Sequence, residues 1–272
     1  MKLNGRVPAA AALLLSLSLL SGCNQLKARD QINKGVQSFK NAQYEQAIGH
    51  FQEAKRLDPK LDQADLYLGT AYSYLVIPNA TDDANMKTAN NAITIFKNYL
   101  GSHPGDKTSL QQLASIYRNI KQPVEAKNYE QQVIQVDPKD AEAHYTIGAV
   151  NFVEAYNNAV KLLGEDGLKD DGQGNVKMSK ATCAKIKAAN TSLVTEAIDH
   201  LNQAAQLRND YDDAYQYLNL MYRRKADTDC GDPTAVKADL AKADDYVKQA
   251  MGARANNEKK KEEKATHGVV TE

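Results

Sequence analysis

Tryptophan is absent from this chain of 272 residues, and cysteine and proline are scarce, at 3 and 7 residues. So few cysteines argue against a small secreted scaffold held together mainly by disulfides. An excess of charge of either sign is also missing, because 34 Lys and Arg side chains balance 34 Asp and Glu side chains. Nucleic-acid-binding proteins normally show a basic excess, so this balance argues against that class. The composition instead indicates one or two globular domains, since 42% of the residues are hydrophobic.

Residues 1–22 have the organisation of a signal peptide. Lys2 and Arg6 form a basic start, and the apolar stretch 9–20 that follows is too short to span a membrane as a helix. The stretch ends in Leu-Ser-Gly-Cys at 20–23, which resembles the lipobox of bacterial lipoproteins. This resemblance implies cleavage before Cys23, a diacylglycerol thioether on Cys23 and acylation of its new amine. The alternatives are an ordinary secretory peptide and an N-terminal membrane anchor.

The residue after the predicted lipid site is Asn24. In proteobacterial lipoproteins Asp at that place is the usual inner-membrane retention signal, so Asn24 favours the outer membrane. Because loss of Lys2 and Arg6 leaves 32 basic against 34 acidic residues, membrane attachment must come from acyl chains and not from a basic patch. We therefore expect a protein of the bacterial cell envelope, anchored by lipid and facing the periplasm.

The rest of the chain contains a repeat with a period near 34 residues. Pro59, Pro104, Pro138 and Asn209 mark the ends of successive units and are 45, 34 and 71 residues apart. Before each end, a small residue of one predicted helix precedes an Ala of the next. These pairs are Gly35 and Ala47, Gly69 and Ala92, Ala114 and Ala126, and Gly148 and Ala197. A fifth unit is identified from Leu218, Tyr222, Ala243, Val247 and Ala250. The pattern resembles the tetratricopeptide repeat, a hairpin of two antiparallel helices.

This resemblance implies an all-α solenoid of about five hairpins over 30–251, in which small residues let paired helices approach closely and proline ends each second helix. Residues 23–29 then form a short linker. Residues 252–272 carry charges of both signs and few apolar side chains, which predicts a disordered tail beyond a fraying helix.

The departures from the period predict extended hairpins in repeats 2, 4 and 5. Repeat 4 has the longest insertion, with a first helix from Ala141, a second helix from about Ser179 and a polar tip at 164–178. At about 1.5 Å per helical residue, we expect this arm to project on the order of 20 Å beyond its neighbours.

The register of the repeats also pairs the two remaining cysteines. Cys183 lies 14 residues before Ala197, and Cys230 lies 13 residues before Ala243, at equivalent places in adjacent units. The two cysteines are therefore expected at similar heights on neighbouring hairpins, where an oxidising compartment favours a disulfide between them. The alternative is two free, buried thiols in a reducing compartment.

Catalytic patterns are missing from the sequence. None of the five histidines, His50, His103, His144, His200 and His267, belongs to a metal-binding motif, although His144 and His200 share a repeat. The acidic tip at 170–175 lacks the ligand register of a calcium loop and is interpreted as a polar turn. We expect neither an enzyme nor a resident metal or cofactor.

The first helices of tetratricopeptide repeats line a groove that binds proteins, and the resemblance carries this role to matching positions here. The predicted groove residues are Phe39, Lys40, Tyr74, Arg118, Asn119, Tyr145, Arg223 and Arg224. Aromatic and basic side chains together suit an extended peptide. The alternative is that the aromatic residues belong to the core and the arginines to a solvated face.

The sequence thus predicts a membrane-anchored scaffold or adaptor that binds protein partners at the periplasmic face of the envelope, and that does not bind nucleic acid. A second hypothesis is a small-ligand or metal-dependent binding protein or enzyme that uses the arm of repeat 4. A third is a structural anchor without a groove ligand.

Overall fold

The computed structural model describes residues 9–267, with side chains described for residues 23–263. The described residues form ten α-helices and no strand. The helices are α1 (Ala9–Lys40), α2 (Tyr44–Leu57), α3 (Asp62–Tyr74), α4 (Asp83–Ser102), α5 (Lys107–Asn119), α6 (Pro123–Val136), α7 (Ala141–Glu165), α8 (Lys180–Leu207), α9 (Asp212–Thr228) and α10 (Pro233–His267). Of the predicted signal peptide, residues 1–8 lie outside the described range, and 9–22 are described only as helical backbone.

The chain divides into two compact units, Met1–Ala126 and Lys127–Glu272. In the first unit, α1 packs on α2, α2 on α3, α3 on α4, and α4 on α5. In the second, α7 packs along α8, α8 along α9, and α9 along α10. Helix α6 begins in the first unit and ends in the second. Helices α1 and α2, α3 and α4, α7 and α8, and α9 and α10 thus pair as hairpins, which we number 1, 2, 4 and 5 after the predicted repeats, and this confirms the predicted all-α tetratricopeptide-type fold.

Polar side chains fix where four of the helices begin. The carboxylates of Asp82, Asp106 and Asp140 accept hydrogen bonds from backbone N–H groups in the first turns of α4, α5 and α7. The Ser179 hydroxyl does the same for α8, which begins where the sequence predicted. Each cap satisfies an N–H group that the helix leaves without an internal partner.

The repeated small residues hold the paired helices together. The five alanines of the second helices, Ala47, Ala92, Ala126, Ala197 and Ala243, are all fully buried. The glycines of the first helices face large side chains of their partner helices. A Cβ atom added to Gly35 would lie 2.4 Å from the Phe51 ring, and one added to Gly148 would lie 2.4 Å from Leu201 Cγ. Real Cβ atoms essentially never come this close, so the pairing requires glycine at both positions.

Two segments outside the predicted solenoid are also helical. Residues 23–29 belong to the continuous helix α1, and Ala28 is fully buried, so the predicted linker is instead a part of the first hairpin. At the other end, α10 continues to His267, which corrects the prediction of a disordered tail from residue 252. Lys260 Nζ contacts Asp210 Oδ2 at 2.7 Å, and Asn257 Nδ2 donates to the Asp210 carbonyl at 2.8 Å. These contacts tie the end of α10 to the turn between α8 and α9.

Of the described residues, no helix combines the length and hydrophobicity that crossing a membrane requires.

Candidate functional site

Helix α7 presents an apolar stripe made of Ala149, Val153, Tyr156 and Val160. The spacings of 4, 3 and 4 residues place these side chains on one helix face. Val153 is 50% exposed, Tyr156 42% and Val160 41%, whereas Ala155 and Ala159 on another face are fully buried. The α7 stripe is therefore an exposed apolar surface on the first helix of the fourth hairpin.

Aromatic side chains of α7, of α9 and of the turn before α9 pack beside the α7 stripe. The Phe152 ring stacks on Tyr156, with centroids 5.9 Å apart, and meets Tyr217 of α9 edge-on at 5.5 Å. Tyr145 lies 5.0 Å from Tyr211 and 5.4 Å from Tyr217. Burial, more than the neighbouring tyrosines and carboxylates, raises the pKa of Tyr145. Tyr145 was predicted to contact a partner, but it is half-buried against the core.

Arg224 is not available to a partner, contrary to the prediction. Its side chain is only 4% exposed, and its guanidinium contacts Asp170 at 2.9 Å and Asp227 at 3.0 Å. Arg223 is also engaged, because it donates to the Gly172 carbonyl at 3.0 Å and to Asp244 at 2.9 Å. Both arginines thus bind the tip of the fourth hairpin, and Arg223 also joins α9 to α10.

The tip of the fourth hairpin packs against α9 instead of projecting as a free arm. Asn175 donates to Asp170 at 3.0 Å and to Asp227 of α9 at 2.8 Å. Gly174 has a φ of +81°, and a Cβ atom there would lie 2.7 Å from Val236 of α10. We call this set of contacts, together with those of Arg223 and Arg224, the tip latch.

Electrostatics within the tip latch are uneven. Burial raises the pKa of Asp227 to about 6, although the Arg224 guanidinium and the Asn175 amide oppose the rise. Burial acts in the same direction on Asp170, but hydrogen bonds from Arg224 and Asn175 overcome it and hold the pKa of that carboxyl below its ordinary value. In the tip latch, hydrogen bonds therefore outweigh the cost of burying the charge of Asp170, whereas they do not outweigh it for Asp227.

A disulfide reinforces the tip latch. Cys183, in the first turn of α8, is bonded to Cys230 in the turn between α9 and α10, with their Cα atoms 5.9 Å apart. The structure thus contains the predicted disulfide between the fourth and fifth hairpins. Cys23 is a free cysteine and is exposed.

In the first unit, the predicted residues Phe39 and Tyr74 come together around Tyr44, which the sequence reasoning missed. The three ring centroids lie 4.9 to 5.3 Å apart, and Tyr74 is 56% exposed. Lys40 and Arg118 are exposed, whereas Asn119 is half-buried and its carbonyl accepts a hydrogen bond from the Asn79 N–H group at 2.7 Å. This aromatic cluster lies at the C-terminal ends of α1 and α3, the first helices of hairpins 1 and 2.

The two histidines of the fourth repeat approach each other. Their Nδ1 atoms lie 2.8 Å apart, and His144 Nε2 lies 3.3 Å from the Pro138 carbonyl. Burial, followed by the proximity of His144, lowers the pKa of His200. In the part of the chain with described side chains, no group of three or more His, Cys, Asp and Glu residues has the arrangement of a metal site.

Solved structures with the same fold include several tetratricopeptide proteins. MamA from Desulfovibrio magneticus RS-1, beginning at its residue 41, is similar over 85% of this chain and 96% of its own, with a TM-score of 0.56 and 17% identity. Another MamA structure covers 86% and 94% of the two chains, with a TM-score of 0.55 and 17% identity. YrrB, described as a TPR protein with an unusual peptide-binding site, is similar over 83% of this chain and 90% of its own, with a TM-score of 0.50 and 16% identity.

No protein-family model and no curated protein sequence matches the chain. The structural similarities establish a tetratricopeptide-type fold. Sequence period alone could have identified the α7 stripe, because its spacing is typical of one helix face. The tip latch gives no such signal, since the contacts that join the tip to α9 connect residues 51 to 54 positions apart.

Proposed function

We propose that this protein is a lipid-anchored scaffold of the bacterial envelope that binds a segment of a partner protein on its first-helix surface. The observation that carries the proposal is the α7 stripe, where Val153, Tyr156 and Val160 remain exposed although neighbouring faces of α7 are fully buried. An apolar row of this kind on a soluble surface is typical of a protein-binding site. YrrB, which has the same fold, is described as having a peptide-binding site, and this supports the same class of activity here.

The partner segment would present apolar side chains to the α7 stripe. Tyr156 supplies a large, rigid surface backed by Phe152, so it is the expected centre of the binding energy. The sequence predicted that Arg223 and Arg224 would contact the partner, but both side chains are used inside the protein, in the tip latch. Recognition would therefore rest on apolar contact and less on capture of carboxylates.

The anchor in this proposal is Cys23. Its place in a lipobox-like sequence and its exposure on α1 support lipid attachment. Several acyl chains, each contributing roughly 0.8 kcal/mol per buried methylene, would hold the chain durably on a membrane. Asn24 favours the outer membrane, so the binding surface would face the periplasm.

A ligand or metal site in the arm of the fourth hairpin has less support. The carboxylates of Asp170 and Asp227 are occupied by Arg224 and Asn175. A ligand at the tip would first have to displace these internal partners.

In-cell photocrosslinking tests the proposal. A photoreactive amino acid at Tyr156 should give a discrete adduct with one partner, and Val153→Asp or Val160→Asp should abolish it. The same amino acid at Ala188, an exposed position on α8, is the matched control and should give no such adduct. Identical adducts at both positions, or none at Tyr156, would contradict binding on the α7 stripe. Mass spectrometry of the N-terminal peptide tests the anchor, and an unmodified Cys23 would contradict it.

A further inference from the structure

Helix α1 joins the proposed lipid site to the core without a flexible spacer. The helix runs unbroken from Ala9 to Lys40, and Ala28, five residues after Cys23, is fully buried. At about 1.5 Å per residue, these two positions are separated by only about 8 Å along the helix axis. Whatever surface lies next to Cys23 must therefore also lie next to the first turns of α1.

One face of these turns is exposed and has an apolar centre. Cys23, Leu26, Lys27, Asp30 and Lys34 follow each other at short helical spacings and share this face, away from the buried residues Ala28 and Ile32. Leu26 is 68% exposed.

The charges around Leu26 have a positive balance. Asp30 pairs with Lys34 at 2.7 Å, and within the described side chains Lys27 and Arg29 form no ion pair. Three basic side chains therefore oppose a single acidic one in the first turns after Cys23. An anionic surface complements this arrangement.

We infer that the exposed face of α1 at Cys23, Leu26 and Lys27 rests on the surface of an anionic phospholipid bilayer. Leu26 enters the interfacial region beside the acyl chains, while Lys27 contacts lipid phosphates from the same face and Arg29, three residues after Leu26, contacts them from its edge. The inference rests on the proposed lipid anchor, because the acyl chains leave Cys23 from this same face. It adds an orientation, since the first hairpin stands directly on the membrane.

The absence of tryptophan from the chain makes a direct test possible. The mature chain from Cys23 is coupled through that free thiol to a maleimide phospholipid and reconstituted in vesicles of phosphatidylethanolamine and phosphatidylglycerol. Leu26→Trp then provides the sole tryptophan. Asn41→Trp, an exposed position just beyond the end of α1, is the matched control.

Brominated lipids should quench the indole fluorescence of the Leu26→Trp variant at least about twofold more strongly than that of the Asn41→Trp variant, and only the first emission should shift to the blue. Adding Lys27→Glu and Arg29→Glu to the Leu26→Trp variant should reduce its quenching, and vesicles of neutral phosphatidylcholine should do the same.

Equal quenching of the two variants would overturn the inference. So would a solvent-exposed indole in Leu26→Trp protein that floats with the vesicles. Coupling through maleimide makes this result independent of processing in the host, whereas an unmodified Cys23 in the host would overturn the proposed anchor alone.

Discussion

Replacing Gly148 with alanine should destabilise the protein, although alanine is the better helix former. Gly148 lies in α7, where a Cβ atom would be 2.4 Å from Leu201 Cγ and 2.7 Å from Leu201 Cδ2. Leu201 is fully buried and is part of the core of the second unit. The added methyl group therefore meets a side chain that has no solvent-facing position to move into.

Two opposing effects set the change in unfolding free energy that Gly148→Ala should cause. Alanine should gain about 0.5–1 kcal/mol over glycine inside a helix. Overpacking of a core by one carbon atom typically costs about 1–3 kcal/mol. Because the added atom would approach the branch point of Leu201 and not the end of a flexible chain, we expect a cost in the upper half of that range. After the gain in helix propensity is subtracted, the net loss of unfolding free energy should be about 1–2.5 kcal/mol.

Gly164 supplies the matched control on the same helix. A Cβ atom there has no neighbour within 4 Å, so Gly164→Ala should leave the protein unchanged or stabilise it by up to about 1 kcal/mol. Urea unfolding of the mature chain, followed by circular dichroism at the helix band, measures both variants. Leu201→Ala should cost less in the Gly148→Ala background than alone, because the new methyl group occupies part of the vacated volume. Equal stabilisation by both glycine substitutions would refute the close-packing argument.

Two further predictions concern the second unit. The first is removal of the disulfide by Cys183→Ser with Cys230→Ser, in a Cys23→Ser background. Urea unfolding should show a free energy of unfolding lower by about 3–4 kcal/mol. Alkylation of all three cysteines of the wild-type protein without reductant would contradict the bond. The second concerns Asp227, because burial raises its pKa from 3.8 to about 6, so the folded protein binds the carboxyl proton more tightly than the unfolded chain does. The stability that this proton contributes is therefore present at low pH and is lost as the pH rises from about 4 to above 6. The full loss is up to about 3 kcal/mol. Asp227→Asn removes this contribution, so the difference in unfolding free energy between wild type and variant should change by that amount between about pH 4 and pH 7. A constant difference would contradict the shifted pKa.

Local residue types predicted the hairpin array well. The alanines that revealed the repeat are the fully buried contacts between paired helices, and Gly35 and Gly148 lie where only glycine fits. The same register placed Cys183 and Cys230 at equivalent heights, where the structure joins them. These features were accessible because each depends on the packing of one hairpin or its neighbour.

The remaining errors arose where distant residues decide the structure. Arg224 holds a place typical of a groove residue, but Asp170, 54 residues earlier, folds back and pairs with it. The charged segment after residue 252 resembles a solvated tail by composition, yet Lys260 contacts Asp210, 50 residues away. No periodic pattern reports such contacts. The predicted linker at 23–29 differs for another reason: 23–40 contains no proline, so nothing in the sequence interrupts a helix that continues from Cys23 into the first hairpin.

The terminal hairpin is held at both of its ends, and this changes how the protein can unfold. Arrays of hairpins normally fray from their last unit, because that unit has a neighbour on one side only. Here the disulfide fixes the turn where α10 begins, and the Lys260 contact fixes the far part of the same helix. Because the disulfide joins this turn to α8, the far part of α10 can separate first, but the turn stays attached to the fourth hairpin for as long as the bond is intact.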